Sequence, residues 1–566
     1  MSKKWQYYND VNEEEVKKLQ EKYKINTLLA TVLVNRNITA EKAEIFLNPT
    51  RNDFYNPFDM PDMEKAVGRI IEAIDKKEKV VIYGDYDVDG ITSITVLKSF
   101  LKDRGLNVAE YIPNRLSEGY GLNKEAVKKI ANDGNTLMIT VDCGITGVEE
   151  VEYAKTLGME TIVTDHHEPG EEIPDAIAVV DCKRKDNKYQ FRELAGVGVV
   201  FKLTQAISQK LGLEEKEYLK YLDIVSLGTI SDIVPLVDEN RVITKLGLKL
   251  VACTKNLGLK AILEEIGMKK IDSSVVSFGV APRINACGRM GFADEALRLL
   301  LSTNCEDAKD LAQSLGKYNN NRQSEEKKIF EEALVQIKEQ KLENANSIVL
   351  AGENWHSGVI GIVASKITEM FFKPCILICL EDGSDLGKGS GRSIPGFDLH
   401  EALMKCQDIL EGFGGHSMAV GLSMKKQNFE SFREKFYKIV EEANIKDVEP
   451  IIKIDSILNV DTITKEMVKS LNLLEPFGEA NKTPIFVFKN LKVDSIRALT
   501  EGKHLKLSLK TNQNTYIDAI GFNLGSLSEE YKIGDKVDVA GNLEINAFNN
   551  KENIQINLKD MMRSLQ

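Results

Sequence analysis

The stretch Val80-Val-Ile-Tyr-Gly-Asp85-Tyr-Asp87-Val-Asp89-Gly90 decides the fold class of this chain. Its apolar first half is typical of a buried strand, and the residues after Gly90 follow the period of an amphipathic helix. The same alternation recurs downstream, which indicates a mostly parallel sheet with crossover helices. The predicted strands are residues 80–84, 108–112, 137–141, 161–164 and 176–180, with helices at residues 90–104 and 148–157 among the connecting segments.

Acidic residues stand directly after three of these predicted strands, and one more follows a further apolar segment. In an open parallel sheet the carboxyl ends of the strands face one crevice, so these side chains are expected to converge there. They are Asp85, Asp87, Asp89, Asp142, Asp165 with the adjacent His166 and His167, and Asp232.

So many carboxylates at one rim would repel each other unless cations neutralise them. Carboxylate oxygens with one or two imidazoles suit Mn²⁺ or Mg²⁺, and these ligands are enough for two ions. Two such ions, about 3.5–4 Å apart, favour hydrolysis of phosphodiester or pyrophosphate bonds, because they stabilise both reacting oxygens and lower the pKa of a bound water. A calcium loop of the EF-hand type is disfavoured, because its position 12 would be Val96 and not a Glu. A solvated turn at the aspartates and a solvated loop at the two histidines are the alternatives.

Several segments resemble known families. Gly84-Asp-Tyr-Asp-Val-Asp-Gly90, Val141-Asp142, Asp165-His166-His167 and Ser226-Leu-Gly-Thr-Ile-Ser-Asp232 resemble the four motifs of the DHH phosphoesterases. The bacterial RecJ exonuclease family and its DHH-associated domain are similar to Pro282-Arg283-Ile-Asn-Ala-Cys-Gly-Arg289, Trp355-His356-Ser-Gly-Val-Ile-Gly361, Gly389-Ser-Gly-Arg392-Ser393 and Gly414-Gly415-His416. One segment departs from the family pattern, because Glu475-Pro-Phe-Gly-Glu-Ala-Asn-Lys-Thr-Pro484 stands where the family usually has a Gly-Asn-Pro turn.

The resemblance runs from about Trp5 to the tail and implies both an activity and a set of site residues. The implied activity is 5′→3′ exonuclease cleavage of single-stranded DNA to mononucleotides, in DNA recombination and repair, with Mn²⁺ or Mg²⁺. The implied metal ligands are Asp87, Asp89, Asp142, His166 and Asp232, with Asp85 and His167 bound to the metals or in contact with their ligands. Asp165 would orient the histidines. The implied partners are a strand with a 5′ end, a single-strand-binding protein and a RecQ-type helicase, and we expect a monomer.

The second half of the chain supplies groups that suit a terminal phosphate, because Arg forks, backbone amides and small residues bind phosphate well. The Gly/Ser-rich residues 389–393 and 414–416 are predicted to be phosphate-contacting loops. The candidate substrate-binding residues are Arg115, Arg283, Arg289, His356, Ser390, Arg392, Ser393, Gly414, Gly415 and His416. For any single Arg, a surface ion pair is the alternative.

The predicted fold class is α/β, with several domains. A parallel-sheet DHH phosphoesterase domain is joined by a long helix to a smaller α/β DHH-associated domain, and a C-terminal β-barrel of the OB type follows. We expect an N-terminal arm at residues 1–62, the catalytic domain at 63–250, a helical connector at 251–343, the DHH-associated domain at 344–445 and the barrel at 446–566.

Within residues 497–510 four positively charged side chains stand against a single acid, Glu501. This local excess predicts a binding path for a DNA single strand on the barrel, and a solvated β-ribbon is the alternative. The positively charged residues are Arg497, Lys503, Lys506 and Lys510.

Composition excludes several classes of protein. The 566 residues, with 43% hydrophobic and 28% charged residues, indicate an ordinary globular chain of several domains. The net charge of −12 argues against a binder that coats nucleic acid with a broad basic surface.

The eight cysteines include no Cys-x-x-Cys pair, so no disulfide or zinc framework is expected. No signal sequence and no apolar window of the ~18 residues needed to cross a bilayer is found, so we expect no membrane association and a cytoplasmic protein.

Three functions compete at this point. The first is the single-strand exonuclease, and the second is a DHH hydrolase of oligonucleotides, cyclic dinucleotides or pyrophosphate. Relatives of the second kind are typically shorter and lack the barrel. The third is a catalytically inactive replisome scaffold, which is disfavoured because every expected metal-ligand position is filled.

Overall fold

The computed structural model describes residues 3–8, 11–115, 118–119, 121–268, 270–380, 383–445, 448–548 and 551–564. The N-terminal segment comprises strand β1 (Lys4–Tyr7) and helices α1 (Glu13–Tyr23), α2 (Thr27–Asn35) and α3 (Ala43–Leu47). Asn12 and Asn26 cap α1 and α2, because each side chain accepts a hydrogen bond from a backbone amide in the first turn.

The predicted parallel sheet is confirmed. Its strands are β2 (Val80–Gly84), β3 (Val108–Tyr111), β4 (Leu137–Val141), β5 (Glu160–Asp165) and β6 (Ala178–Asp181), and they lie in the order β3-β2-β4-β5-β6 with every pair parallel. The helices of this domain are α4 (Met63–Lys76), α5 (Val88–Lys102), α6 (Lys124–Asn132), α7 (Val148–Thr156) and α8 (Gly196–Lys210). Because β2 lies between β3 and β4, the winding direction reverses there, which opens a crevice at the carboxyl ends of β2 and β4.

A block of helices follows the sheet. It contains α9 (Lys216–Leu219), α10 (Leu222–Ser231), α11 (Asp238–Val251), α12 (Leu257–Ile266), α13 (Ser273–Val275), α14 (Ala281–Met290), α15 (Ala293–Leu300) and α16 (Cys305–Glu339). The first half of α16 packs Leu315 into the core of the first domain, and its second half packs Ile329 and Ile337 into the core of the second. This helix therefore joins the two domains, as expected of the long helix within the predicted connector at residues 251–343.

The second domain holds a five-stranded mixed sheet. Its strands are β7 (Ile348–Glu353), β8 (Cys375–Leu380), β9 (Leu386–Arg392), β10 (Leu410–His416) and β11 (Ala419–Lys425), in the order β10-β11-β9-β8-β7 with only β7 and β8 parallel. Helices α17 (Ser357–Phe371), α18 (Leu399–Met404) and α19 (Phe429–Glu442) pack against it.

The interpretation of residues 389–393 and 414–416 as loops is wrong, because these glycines lie on strands β9 and β10. A Cβ atom at Gly389 would lie 2.8 Å from Leu422, and one at Gly391 would lie 2.8 Å from Leu399. The glycines of β9 therefore permit close packing of the sheet.

The predicted C-terminal barrel is confirmed. The elements are β12 (Ile451–Ile454), β13 (Ser456–Ile457), α20 (Lys465–Ser470), β14 (Phe486–Leu499), β15 (His504–Lys510), β16 (Tyr516–Gly521), α21 (Leu527–Glu530), β17 (Lys536–Phe548) and β18 (Lys551–Arg563). The strand order β13-β14-β15-β16-β18-β17, with β14 also paired to β17, closes a barrel of five strands.

The N-terminal segment is part of the barrel core. Strand β1 pairs in parallel with β12, and Leu29 and Leu33 of α2 share one buried cluster with Phe486 and Phe488 of β14. The two ends of the chain therefore fold onto each other. Among the described residues, no helix is both long enough and apolar enough to cross a membrane.

Candidate active site

The aspartates after β2 converge with the start of α8. Asp87 caps α5, because its side chain accepts a hydrogen bond of 3.0 Å from the Gly90 amide. Asp89 is buried and accepts hydrogen bonds from the amides of Gly196 (2.6 Å) and Val197 (2.9 Å) at the N-terminus of α8. A helix N-terminus stabilises a carboxylate, so α8 fixes the orientation of Asp89.

Asp142 follows β4 in a left-handed backbone conformation, with φ of 59°. Gly196 lies against it, since a Cβ atom at this position would be 2.7 Å from the Asp142 side chain. A strained backbone next to a close glycine indicates that this carboxylate is held in place by its surroundings.

The histidine pair after β5 is organised by Asp165. This buried carboxylate accepts hydrogen bonds from the Ile145 and His166 amides, each at 2.8 Å, and lies 2.7 Å from Nδ1 of His167. The contact with Asp165 makes Nδ1 of His167 the donor, so Nε2 is the ring nitrogen that faces away from Asp165.

His166 lies at the centre of the acidic residues. Its Nε2 atom is 3.1 Å from Oδ1 of Asp142, 3.6 Å from Oδ2 of Asp232 and 3.8 Å from Oδ2 of Asp89. Three sets of side chains have ligand atoms within 4.8 Å of one another, namely Asp85 with Asp87 and Asp142, Asp89 with His166 and Asp232, and Asp142 with His166 and His167. The structure thus brings together every predicted metal ligand.

Burial and mutual repulsion shift the titration of these groups. Burial, together with Asp87, raises the pKa of Asp85 to about 8 and that of Asp89 to about 7. Burial and the charge of Asp89 raise the pKa of Asp232 to about 9 and put the pKa of Asp142 well above its usual range. These raised pKa values mean that, without a cation, the site favours protonated carboxyl groups over carboxylates.

The two histidines shift in opposite directions. Burial, followed by the neighbouring His167, lowers the pKa of His166 to about 3, so its imidazole is neutral. Burial alone would lower the pKa of His167, but its hydrogen bond to Asp165 raises it to about 9. A neutral ring can bind a metal, whereas a charged ring can donate to a phosphate oxygen.

A cluster of arginines lies near the loop that carries Asp85. Arg289 on α14 is partly buried and donates to the carbonyl of Gly358 at 3.0 Å, and its pKa is lowered to about 10 by burial and by the charges of Arg115, Arg322 and Arg392. Arg392, at the end of β9, donates to the Gly391 carbonyl (2.7 Å) and to Oγ of Ser390 (3.1 Å). Within the described part of the chain, neither Arg289 nor Arg392 has an acidic side chain within ion-pair distance. Unpaired, partly buried guanidinium groups of this kind suit an anion.

The two sites adjoin. A Cβ atom at Gly288 would lie 2.5 Å from the carbonyl oxygen of Tyr86, so α14 packs directly on the loop that carries the aspartates. The guanidinium of Arg115 lies 5.0 Å from the centre of the Tyr86 ring. It also lines a cleft of about 480 Å³ with Ser390 and Gly414 of the second domain.

Comparison with known proteins identifies the family. Three family models match the chain, namely the DHH family N-terminal domain at residues 79–229, the DHHA1 domain at 344–442 and the RecJ OB domain at 454–560. The single-stranded-DNA-specific exonuclease RecJ of Bacillus subtilis is 40% identical over 554 residues, which cover 97% of this chain and 70% of the relative. This chain belongs to the RecJ family.

Other RecJ proteins agree with this assignment. RecJ of Salmonella typhimurium is 33% identical, over 88% of this chain and 90% of the relative. A crystal structure of RecJ with Mn²⁺ from Thermus thermophilus superposes with a TM-score of 0.87 at 29% identity, covering 100% of this chain and 80% of that one. A crystal structure of exonuclease RecJ bound to manganese is 34% identical, with a TM-score of 0.62 over 69% of this chain and 97% of that one.

The residues present fit a divalent cation of the kind bound in those RecJ structures, which contain Mn²⁺ or Mg²⁺. Oδ1 of Asp85 and Nε2 of His166 are buried without a hydrogen-bond partner, as expected of atoms whose partner is an ion. The donor set is five carboxylates and an imidazole without thiolates, which suits Mn²⁺ or Mg²⁺.

The remaining predicted residues of this RecJ-family chain lie in varied surroundings. His416 lines a small pocket with Asp165 and His167. His356 caps α17, since its Nδ1 accepts from the Gly358 amide at 3.1 Å. Ser393 is buried and donates to the Phe397 carbonyl at 2.7 Å. Arg283 donates to the Gly279 carbonyl at 2.9 Å and lies 3.7 Å from Glu265, so the structure does not bring it to the arginine cluster.

Three contributors to the site were missed by the sequence reasoning. The amides of Gly196 and Val197 hold Asp89, and the Gly-rich start of α8 was a usable signal. Asp181 ends β6 beside Asp165, and burial raises its pKa to about 7; its position after a strand was also a usable signal. Arg322 carries no such signal, because it lies within the long charged helix α16.

Proposed function

We propose that this chain is a metal-dependent exonuclease that removes mononucleotides from the 5′ end of single-stranded DNA in recombination and repair. One observation carries the proposal, which is that a cluster of arginines lies beside an acidic metal centre, close enough for the charge of Arg115 to act on Asp85. An exonuclease needs a pocket for the terminal phosphate at a fixed distance from the reacting bond. The functions of the RecJ relatives support the same assignment.

The metal-binding residues in this proposal are Asp85, Asp87, Asp89, Asp142, His166 and Asp232, and they would hold two ions. Such ions supply charge neutralisation of the phosphodiester and a lowered pKa of water, which is the chemistry of hydrolysis. Asp165 holds the proton on Nδ1 of His167, and the charged ring can donate from Nε2 to a phosphate oxygen. The guanidinium groups of Arg115, Arg289 and Arg392 would bind the terminal phosphate.

The barrel supports a long strand as the substrate in preference to a dinucleotide. Arg497 and Lys506 are paired across β14 and β15, and Tyr516 and Phe522 of the same surface are more than half exposed. Exposed aromatic rings beside cations are the usual features of a surface that stacks successive bases of a single strand.

The decisive experiment compares long single strands that carry a block at the 5′ or at the 3′ end, with Mn²⁺ present. We expect the 5′ block to stop degradation and the 3′ block to leave it unchanged. Degradation that the 5′ block does not slow would contradict the polarity. Faster hydrolysis of a dinucleotide or of pyrophosphate than of the long strand would favour the short-substrate hydrolase.

The phosphate pocket has its own test. In Arg392→Gln, the KM for a 5′-phosphorylated strand should rise, whereas the KM for a 5′-hydroxyl strand should change little. Arg433→Gln is the matched control, because Arg433 pairs with Glu430 on the surface of α19. Equal effects on both substrates would remove Arg392 from the pocket.

Three further parts of the proposal rest on the resemblance to the family. They are a cytoplasmic location, action as a monomer, and cooperation with a single-strand-binding protein and a RecQ-type helicase. Sedimentation of the purified protein, alone and with each partner, tests the last two.

A further inference from the structure

The segment that departs from the family pattern lies against the catalytic domain. Residues 473–482, called here the 473–482 loop, connect the short helix α20 to strand β14 of the barrel. The loop is part of the barrel region in sequence, yet it forms hydrogen bonds with helices of the first domain and with the N-terminal segment.

A fully buried guanidinium holds one end of this loop. Arg241 of α11 is 1% exposed, and it donates to the carbonyls of Leu474 (3.0 Å), Glu475 (3.0 Å) and Leu473 (3.3 Å). Its Nε donates to the carbonyl of Phe46 at 2.7 Å, which ties the N-terminal segment to the same point. Burying this charge is tolerable only because four carbonyl oxygens surround it, so the loop cannot move without leaving the charge unsatisfied.

Further contacts fix the rest of the loop. Ser273 donates from Oγ to the carbonyl of Phe477 at 2.6 Å. Asn481 is buried and donates to the carbonyls of Leu474 (2.9 Å) and Pro476 (2.7 Å), which sets the internal turn. Lys270 forms an ion pair of 2.9 Å with Glu475.

The loop touches the segment that carries a metal-binding residue. The amide of Leu236 donates to the carbonyl of Glu479 at 2.9 Å, and a Cβ atom at Gly478 would lie 2.5 Å from the Leu236 side chain. Leu236 belongs to the short connection between α10 and α11, which begins with Asp232.

This connection needs an external support, because its second residue is strained. Ile233 has φ of 61°, a strained conformation that is rare for a β-branched residue. The Ile233 side chain is 70% exposed, so it gains little from burial in that conformation. Strain of this kind persists only where surrounding contacts determine the backbone.

We propose that the 473–482 loop, held by Arg241, is a positioning element for the metal centre: it supports the connection from Asp232 to Leu236 and thereby orients the Asp232 carboxylate toward the divalent cation. This inference rests on the proposed function of Asp232 as a metal ligand. It makes Arg241 and Ser273 positioning residues, which act on the metal through the loop and do not touch it.

The test measures Mn²⁺ binding to the full-length protein by electron paramagnetic resonance of the free ion and by calorimetry, without substrate. Arg241→Gln removes three hydrogen bonds to the loop, and Ser273→Ala removes a single hydrogen bond. Lys249→Ala is the control, since Lys249 is exposed on the same helix α11. We expect the Kd for Mn²⁺ to rise about 10-fold in Arg241→Gln, the size of effect seen when the support of a metal ligand is lost. A smaller rise is expected in Ser273→Ala and none in Lys249→Ala.

The nuclease rate provides a second readout. Because the ligand is misplaced and not removed, raising the Mn²⁺ concentration should restore kcat in both loop variants. A purely structural role would lower the melting temperature and leave the Kd for Mn²⁺ unchanged.

Each outcome decides the proposal. Folded Arg241→Gln with the wild-type Kd for Mn²⁺ overturns it, and if that variant does not fold, an unchanged Kd in Ser273→Ala overturns it. Failure of the wild-type protein to bind Mn²⁺ would contradict the proposed function instead, so the two failures are distinguishable.

Discussion

At the residue scale, Asp142 is one of the two central residues of the metal centre, with His166. It belongs to two of the three groups of ligand atoms, and it lies 3.1 Å from Nε2 of His166. Its left-handed backbone and its contact with Gly196 leave the carboxylate little freedom to move.

Asp142→Asn should reduce hydrolysis by more than about 100-fold, because a neutral amide cannot hold a divalent cation as a carboxylate does. Binding of single-stranded DNA, measured by fluorescence anisotropy, should persist. Asp175→Asn is the control, since Asp175 is an exposed carboxylate of the same domain that pairs only with Lys155 among the described residues. Turnover near that of the wild type in Asp142→Asn would contradict the two-metal proposal.

The raised pKa values predict a pH dependence of stability. Asp85 and Asp232 have pKa values raised from 3.8 to about 8 and about 9, so the stability that they contribute is present below about pH 4 and is lost as pH rises through 8 to 9. His167, with a pKa of about 9, acts in the same direction. The metal-free protein should therefore lose stability between about pH 6 and about pH 9, whereas bound Mn²⁺ should offset this loss.

Thermal melts with and without Mn²⁺ test this dependence. The rise in melting temperature caused by Mn²⁺ should be larger near pH 9 than near pH 6. A rise that is constant over this range would show that these carboxyls do not titrate in the folded protein.

At the scale of elements, helix α8 supports two metal-binding residues at once. Its first amides bind Asp89, and the missing side chain of Gly196 leaves room for Asp142. The helix can serve both because its N-terminus points at the crevice between β2 and β4. Gly196 is therefore needed to leave room for the Asp142 side chain, and not to form the helix.

Gly196→Ala should lower both the nuclease rate and the affinity for Mn²⁺, because the new Cβ atom would displace the Asp142 carboxylate. Gly68→Ala in α4 is the matched control, since a Cβ atom there has nothing within 4 Å. The control should gain roughly 0.5–1 kcal/mol of stability, as expected for alanine in a helix, with unchanged activity. If Gly196→Ala keeps full activity, the close approach does not constrain the site.

At the scale of the whole molecule, the N-terminal segment and the barrel form one structural unit. Leu29 is fully buried in a cluster that contains Phe486 and Phe488, and β1 extends the β12 edge. The 473–482 loop and Arg241 then connect this unit to the catalytic domain. The net charge of −12 is compatible with a DNA substrate in this arrangement, because five of the carboxylates lie together at the metal centre, where divalent cations would neutralise them, and Arg115 and Lys388 line the cleft.

Leu29→Ala should cost about 2–5 kcal/mol, the usual range for a buried leucine, and should destabilise the barrel together with the N-terminal helices. Hydrogen exchange measures this, and the amides of β14 and β17 should exchange faster. Ile45→Ala is the control, because Ile45 of α3 is 47% exposed. Unchanged protection of β14 would mean that the N-terminal segment and the barrel unfold independently.

The sequence by itself determined the parallel sheet, the long connecting helix, the barrel and the acidic metal centre. Local order is sufficient for these features, because the strand and helix periods are short and the carboxyl ends of parallel strands must share one edge. Asp85 and Asp142 could therefore be predicted as neighbours although they are far apart along the chain, whereas Asp232 ends helix α10 and reaches the site through the packing of that helix.

Only the tertiary structure decided which arginines reach the cleft and how the ends of the chain meet. Arg283 and Arg289 lie on one helix, but six positions rotate a side chain by roughly 240°, so only Arg289 joins the cluster. The glycines of residues 389–391 indicated a loop, yet packing of Leu422 and Leu399 makes them a strand. The contact of Arg241 with the 473–482 loop joins residues more than 230 positions apart. No local pattern encodes such contacts, because they depend on side-chain direction and on packing between distant segments.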